Sequence, residues 1–301
     1  MKEPFFTPSY FSSFHCLMGS CPDSCCKAGW EIPIDDNTID KLRAIPSLGI
    51  DKNICPGSDD DTILRVNSDG VCPYLNSEGL CEMYIKSGMM GDVCSKHPRF
   101  YEEYYVGDDL AFTEAGISVS CPEAARIVLS ATNSDYNQLA KPETEDDLLD
   151  FLLAARAKAF GLTPSQLIPY GELLQDEIDF GTLELPEGEI PDSEPIDVSN
   201  LCRFILDKTE ILTPEWREYL ESCGQGSHKH ESKPLFDYLV FRFFLKAFNT
   251  EDILTECRLI VALYELSTSG DNLMETVRLV SKELEHDNFN LDLLREYLSQ
   301  S

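Results

Sequence analysis

Ser118-Val119-Ser120-Cys121-Pro122-Glu123-Ala124-Ala125-Arg126 marks the point at which this chain changes character. Ahead of it, residues 1–125 are rich in Cys, Gly, Pro and Asp and carry only short regular patterns. Residues 62–66 and 102–114 read as strands, the second folding back at Gly107-Asp108-Asp109 into a hairpin with aromatic and β-branched flanks. Beyond Cys121, apolar residues recur at helical spacing over 123–132, 144–160, 200–212, 214–222, 234–248, 251–267, 272–286 and 291–298. Thr213-Pro214 and Ser232-Lys233-Pro234 place a capping hydroxyl just before a first-turn proline. The expected fold is mainly α: an irregular cysteine-rich N-terminal metal or cluster module (1–125) with a small antiparallel β element, packed on a C-terminal helical bundle (126–301). An acidic, proline-bearing stretch near 175–197, with Pro186, Pro191 and Pro195, reads as an exposed connector. Gly224-Gln225-Gly226-Ser227-His228-Lys229-His230 reads as a second solvent-exposed loop.

The chain has 301 residues, 43% of them apolar, which suffices for a real core and excludes disorder as its general state. Against 54 Asp and Glu stand 24 Lys and Arg, a formal charge of -30. Such a surface repels phosphate backbones and anionic lipid, so neither nucleic acid nor membrane is an expected partner; a basic, lysine-bearing protein is. The N-terminus Met1-Lys2-Glu3-Pro4-Phe5-Phe6 has no signal-peptide apolar run and no stretch is long and apolar enough to span a membrane, so the expected location is the cytoplasm. In that reducing compartment clustered cysteines read as metal ligands before they read as disulfides.

Nine of the 12 cysteines fall within the first 121 residues. Eight of them, Cys16, Cys21, Cys25, Cys26, Cys72, Cys81, Cys94 and Cys121, are the candidate ligands; they stand in turn-forming sequence that lets a backbone wrap closely round an ion or cluster. Thiolates are soft donors and select zinc, iron–sulfur clusters or cuprous copper. The spacing matches no common template: there is no pair of Cys-x2-Cys knuckles, no Cys-x2-Cys-x2-Cys run and no Cys-x3-Cys-x2-Cys triplet. Cys25 and Cys26 are adjacent, so one of them can ligate while the other packs inward or serves a second site. Cys55, in a solvated Asp-rich loop, and Cys202, Cys223 and Cys257, in or beside helices, are not expected to take part.

At these residues the chain resembles the flagellin lysine-N-methylases, within a wider group of bacterial proteins carrying a zinc- or iron-chelating cysteine cluster. The resemblance runs from Cys16-x4-Cys21-Pro22-Asp23-Ser24-Cys25-Cys26-x3-Trp30-Glu31-Ile32 through Cys72-Pro73-Tyr74-Leu75, Gly79-Leu80-Cys81 and His97-Pro98-Arg99 to Ser118–Arg126. Phe236-Asp237-Tyr238-Leu239-Val240-Phe241-Arg242 and Lys282-Glu283-Leu284-Glu285-His286 continue it more weakly. It implies transfer of a methyl group from S-adenosylmethionine to lysine side chains of flagellin, with a cysteine-bound 4Fe-4S cluster as the metal centre and zinc as the alternative.

Methyl transfer needs a neutral amine, a positioned sulfonium and exclusion of water. No Gly-x-Gly opens a helix after an N-terminal strand, so the doubly wound methyltransferase fold is not expected. Tyr101-Glu102-Glu103-Tyr104-Tyr105 is the best candidate for gripping a lysine, through carboxylate attraction and cation–π contact, although a strand must turn alternate side chains apart. Tyr101, Tyr104 and Glu114, the last as an amine-orienting base, are the candidate catalytic residues. Arg99 and Arg126 are candidates for the donor's carboxylate, and Trp30 is expected to be a core residue that covers the cluster. The competing reading is a non-catalytic zinc or iron–sulfur protein whose helical domain binds a partner.

Overall fold

A computed structural model describes residues 5–57, 61–137, 144–223 and 230–300. The loop expected at 224–230 therefore lies, except for His230, outside the described residues, as do Asp59 and Asp60. The chain is mainly helical, 56% helix and 10% strand, with a small sheet. It divides into two compact units, and the division departs from the expected boundary near 125. Residues 15–100 and 121–123 form the cysteine unit; residues 1–14, 101–120 and 124–301 form the helical unit.

The hairpin thus belongs with the helices, for a reason visible in its side chains. Its strands, Arg99–Val106 and Asp109–Ile117, are joined through Gly107 at φ 61, and the strand Phe5–Phe6 pairs parallel to the second, Phe5 opposite Thr113 and Phe6 opposite Glu114. Glu102 reaches Arg242 and Lys246, and Glu114 reaches Arg156, all three partners lying on helical elements. Alternation along the first strand leaves Tyr101, Glu103 and Tyr105 exposed and turns Tyr104 inward.

The helical unit is organised round Ile253–Thr268, which is mostly apolar and buried on nearly all sides, its buried Glu256 being bound by Arg295. Pro164–Phe180, Lys233–Phe243, Leu273–Val280 and Asn288–Ser299 pack against it. Asp146, Asp197, Thr213, Ser232, Asp252, Asn272 and Asp287 each accept a first-turn N–H, so most of these helices start where a capping residue allows. Pro214–Ser222 has the expected bounds. Pro164–Phe180 was not expected: Pro169 inside it and the acidic residues after Gln175 disguise it, although Thr163-Pro164-Ser165-Gln166 forms a capping box. The exposed connector consequently begins only after Gly181, which ends that helix at φ 69.

The cysteine unit has little regular structure: helices Asp36–Arg43, Glu82–Ser87 and Asp92–Lys96, a two-stranded antiparallel pair Ile54–Pro56 with Thr62–Leu64, and several 3-10 turns. It nevertheless owns a small core of Ile34, Ile39, Leu42, Leu48, Ile50, Leu64, Cys72, Tyr74 and Met83. No helix among the described residues is long and apolar enough to cross a membrane.

Candidate functional site

Two glycine contacts explain how the cysteine unit gathers its sulfurs. Gly29 donates its N–H to the carbonyl of Gly70 at 3.1 Å, and a Cβ on Gly70, whose φ is 73, would stand 2.8 Å from the Gly29 Cα. The backbones touch there, and two residues after Gly70 the Cys72 N–H bonds the carbonyl of Cys26, three residues before Gly29, at 2.9 Å. Gly79, at φ 74, meets Gly19 in the same way and brings the Cys16–Cys21 loop beside Cys81. Residues with a Cβ could not make either approach.

All eight candidate ligands lie in this unit, including Cys121, which joins it with Pro122 and Glu123 while the residues before and after them belong to the helical unit. Cys26, Cys72, Cys81 and Cys94 are close enough for their charges to interact. Burial first, and then the thiols of Cys26, Cys72 and Cys81, push Cys94 up to about 12. Burial, with Cys26 and Cys81, pushes Cys72 up to about 11. Cys26 goes the other way, drawn down to about 6 by the hydrogen bond from Cys25, whose own thiol is driven far up by the same bond and by burial. The hydrogen bond between this adjacent pair thus favours the proton on Cys25 and the thiolate, the form that binds metal, on Cys26. Cys16 and Cys94 also act on Cys25. Cys21 stands apart in its interactions, donating to the carbonyl of Asp23 at 3.3 Å. Cys55 lies in the same unit, within the strand Ile54–Pro56. The donor set is chemically that of zinc or an iron–sulfur centre. Among the described residues no three Cys, His, Asp or Glu are arranged as the ligands of one metal ion.

Trp30 is 38% exposed, in edge contact with the His97 ring at 5.5 Å, and is not the core residue it was expected to be. Arg99 is half-buried in the cysteine unit and Arg126 is exposed in the helical one. The candidate catalytic residues are split by burial. Tyr101 is 43% exposed and touches the Phe5 ring. Tyr104 is buried and stacked on Phe112 at 4.8 Å, and burial with the Glu114 charge lifts its phenol well above the ordinary value, so it stays protonated. Glu114 is buried, with both oxygens bound by Arg156 at 2.8 and 2.5 Å. Tyr104 and Glu114 thus pack and pair within the helical unit, whereas Tyr101 stands at its surface.

A second polar constellation was missed. The helix Leu273–Val280 tightens no further but widens into a π-helical turn at Ser281–Glu285, a distortion often found at functional sites. His286 Nε2, just beyond it, lies 3.0 Å from Ser118 Oγ and 2.9 Å from Ser120 Oγ, and Ser281 Oγ is 3.2 Å from Ser118 Oγ. Although part of His286 is exposed, its Nε2 edge is turned inward, and burial followed by the Arg242 charge lowers its pKa to about 4. Tyr238 donates to Glu285 Oε2 at 2.8 Å. Neutral imidazole against serine hydroxyls is a proton-accepting arrangement, but both serines are buried.

Comparison of the chain with family models, curated proteins and solved structures returns no match.

Proposed function

We propose that this protein is a cysteine-ligated metal protein, its thiol unit holding a 4Fe-4S cluster or zinc, and that it transfers methyl groups from S-adenosylmethionine to lysines of flagellin or another exposed protein surface. The observation that carries the metal reading is the interacting set Cys26, Cys72, Cys81 and Cys94, four soft donors with a thiolate already favoured at Cys26. Cys16, Cys25, Cys21 and Cys121 remain for a second site or for alternative ligation. The methyl-transfer reading rests on the family resemblance and on the charge of -30, which would steer a lysine-rich partner toward the surface. Bound metal would supply folding energy by tying the loops together; this chain's part is to keep its thiols together and to favour the thiolate at Cys26.

The non-catalytic alternative is favoured by one observation: Tyr104 and Glu114 are buried and engaged, leaving Tyr101 alone of the three at the surface. Two measurements on anaerobically purified protein separate the readings. Metal analysis with an absorption spectrum distinguishes iron–sulfur, which absorbs near 400 nm in general, from zinc. Incubation with labelled S-adenosylmethionine and flagellin, read by mass for methyl-lysine, tests the transfer. Metal present without donor binding or methyl-lysine on any lysine-bearing protein leaves the binding role. Protein that purifies and folds without metal, and whose Cys26→Ser variant is unchanged in stability, removes the metal role as well.

A further inference from the structure

Outside the cysteine unit the described chain has three cysteines, and the fold brings two of them together. Cys202 sits in the helix Val198–Lys208 and is buried; Cys223 caps the C-terminus of Pro214–Ser222, where the backbone turns extended at φ -61, ψ 134. These helices pack on one another, and the Cys202 and Cys223 thiols are near enough to act on each other's protonation. Tyr219 fixes the second sulfur: Cys223 Sγ donates to its hydroxyl at 3.4 Å, and that hydroxyl donates in turn to the Leu266 carbonyl. Cys257 is buried elsewhere, against Gly171. Both members of the pair are thiols here.

We propose that Cys202 and Cys223 are a redox-modification site, closing to a reversible intramolecular disulfide on reaction with a low-molecular-weight disulfide. Cys223, the more exposed of the two, attacks first: its thiolate bonds to one sulfur of the oxidant, whose S–S bond breaks and releases a thiolate. Cys202 then attacks the Cys223 sulfur, giving its proton to the departing thiolate, and the second half of the oxidant leaves as a thiol. The two protein thiols lose two electrons and two protons, and the oxidant becomes two thiols. Burial and the contact with Cys223 hold the Cys202 thiol in its protonated form, which keeps the pair reduced until Cys223 has reacted. The cross-link ties two sequence-adjacent helices and removes the Cys223 donor from Tyr219. It is independent of the metal and methyl-transfer readings.

The test equilibrates the full-length protein with graded mixtures of oxidised and reduced glutathione, traps thiols by alkylation and maps peptides without reduction. The expected result is a peptide pair joined through Cys202 and Cys223, two hydrogens lighter than the reduced pair, reverting on addition of dithiothreitol. The oxidised protein should melt several degrees higher than the reduced one, a gain that Cys223→Ser abolishes. In Cys202→Ser, Cys223 should stop as a mixed disulfide with glutathione. Absence of the linked pair at glutathione ratios that fully oxidise an added reference dithiol overturns the proposal. So does a wild-type Cys223 that stops at the mixed disulfide. The wild-type peptide map decides even if a variant fails to fold.

Discussion

Glu114 and Arg156 are both buried, and the bidentate bond between them satisfies two charges that water cannot reach. Arg156→Met should cost roughly 3–5 kcal/mol in urea unfolding, because it leaves a carboxylate alone in the interior. Adding Glu114→Leu should restore much of that, since the penalty belongs to the orphaned charge more than to the lost pair. A single variant within about 1 kcal/mol of wild type would show that Glu114 finds another partner or water. His286 makes a pH-dependent case. Its folded pKa of about 4 lies below the ordinary 6.5, so its contribution is present above 6.5 and is lost as pH falls toward 4, where the unfolded chain binds the proton more readily. With part of the residue exposed the effect on stability is small, under about 1 kcal/mol. An NMR titration of the imidazole should show a midpoint well below 6.5, moving up in Arg242→Gln; a midpoint at the ordinary value would place the ring in water. None of this was legible from residue type, since a glutamate, an arginine and a histidine on separate elements announce no partners.

Helix boundaries were the most legible features, because caps act over three residues and apolar periodicity over a dozen. Thr213-Pro214 starts a helix where it should, and Asn272 starts another. The end of the second was not foreseeable: a 3.6-residue pattern continues through 281–285, and the widening there follows from Ser281, Glu285 and His286 reaching partners on other elements. Pro164–Phe180 was obscured because proline and charge count against helix locally, whereas its buried face against Ile253–Thr268 counts for it. That packing gives a prediction of definite sign. A Cβ on Gly171 would stand 2.9 Å from both Cβ and Sγ of Cys257. Propensity alone would make Gly171→Ala stabilising by about 1 kcal/mol; overpacking at this crossing should instead destabilise by about 1–3 kcal/mol and lower the melting temperature. A raised melting temperature would mean that the two helices separate without strain.

At the scale of the molecule, cysteines partition between units by contact, not by position in the chain. Nine lie in residues 15–100 and 121–123, where turns and a core of nine residues must hold the fold. A unit so sparse in regular structure gains most from a ligand that ties its loops together. If the thiols bind metal, its removal by chelator or oxidation should raise amide exchange across 15–100 while leaving 253–268 protected, as read by mass spectrometry. Equal protection with and without metal would show that the small apolar core suffices. The large negative charge adds a solubility and steering property to the whole chain, and no bearing on which fold it adopts.

Sequence alone determined the mainly helical character, most helix starts, the hairpin and the concentration of thiols before residue 122, because each rests on residues near one another along the chain. Tertiary structure decided that the hairpin joins the helices, that Cys121 joins the other cysteines, that His286 meets Ser118 and Ser120, and that Cys202 meets Cys223. Those pairings depend on packing between elements tens to more than a hundred residues apart, and nothing in local periodicity, capping or spacing carries that information.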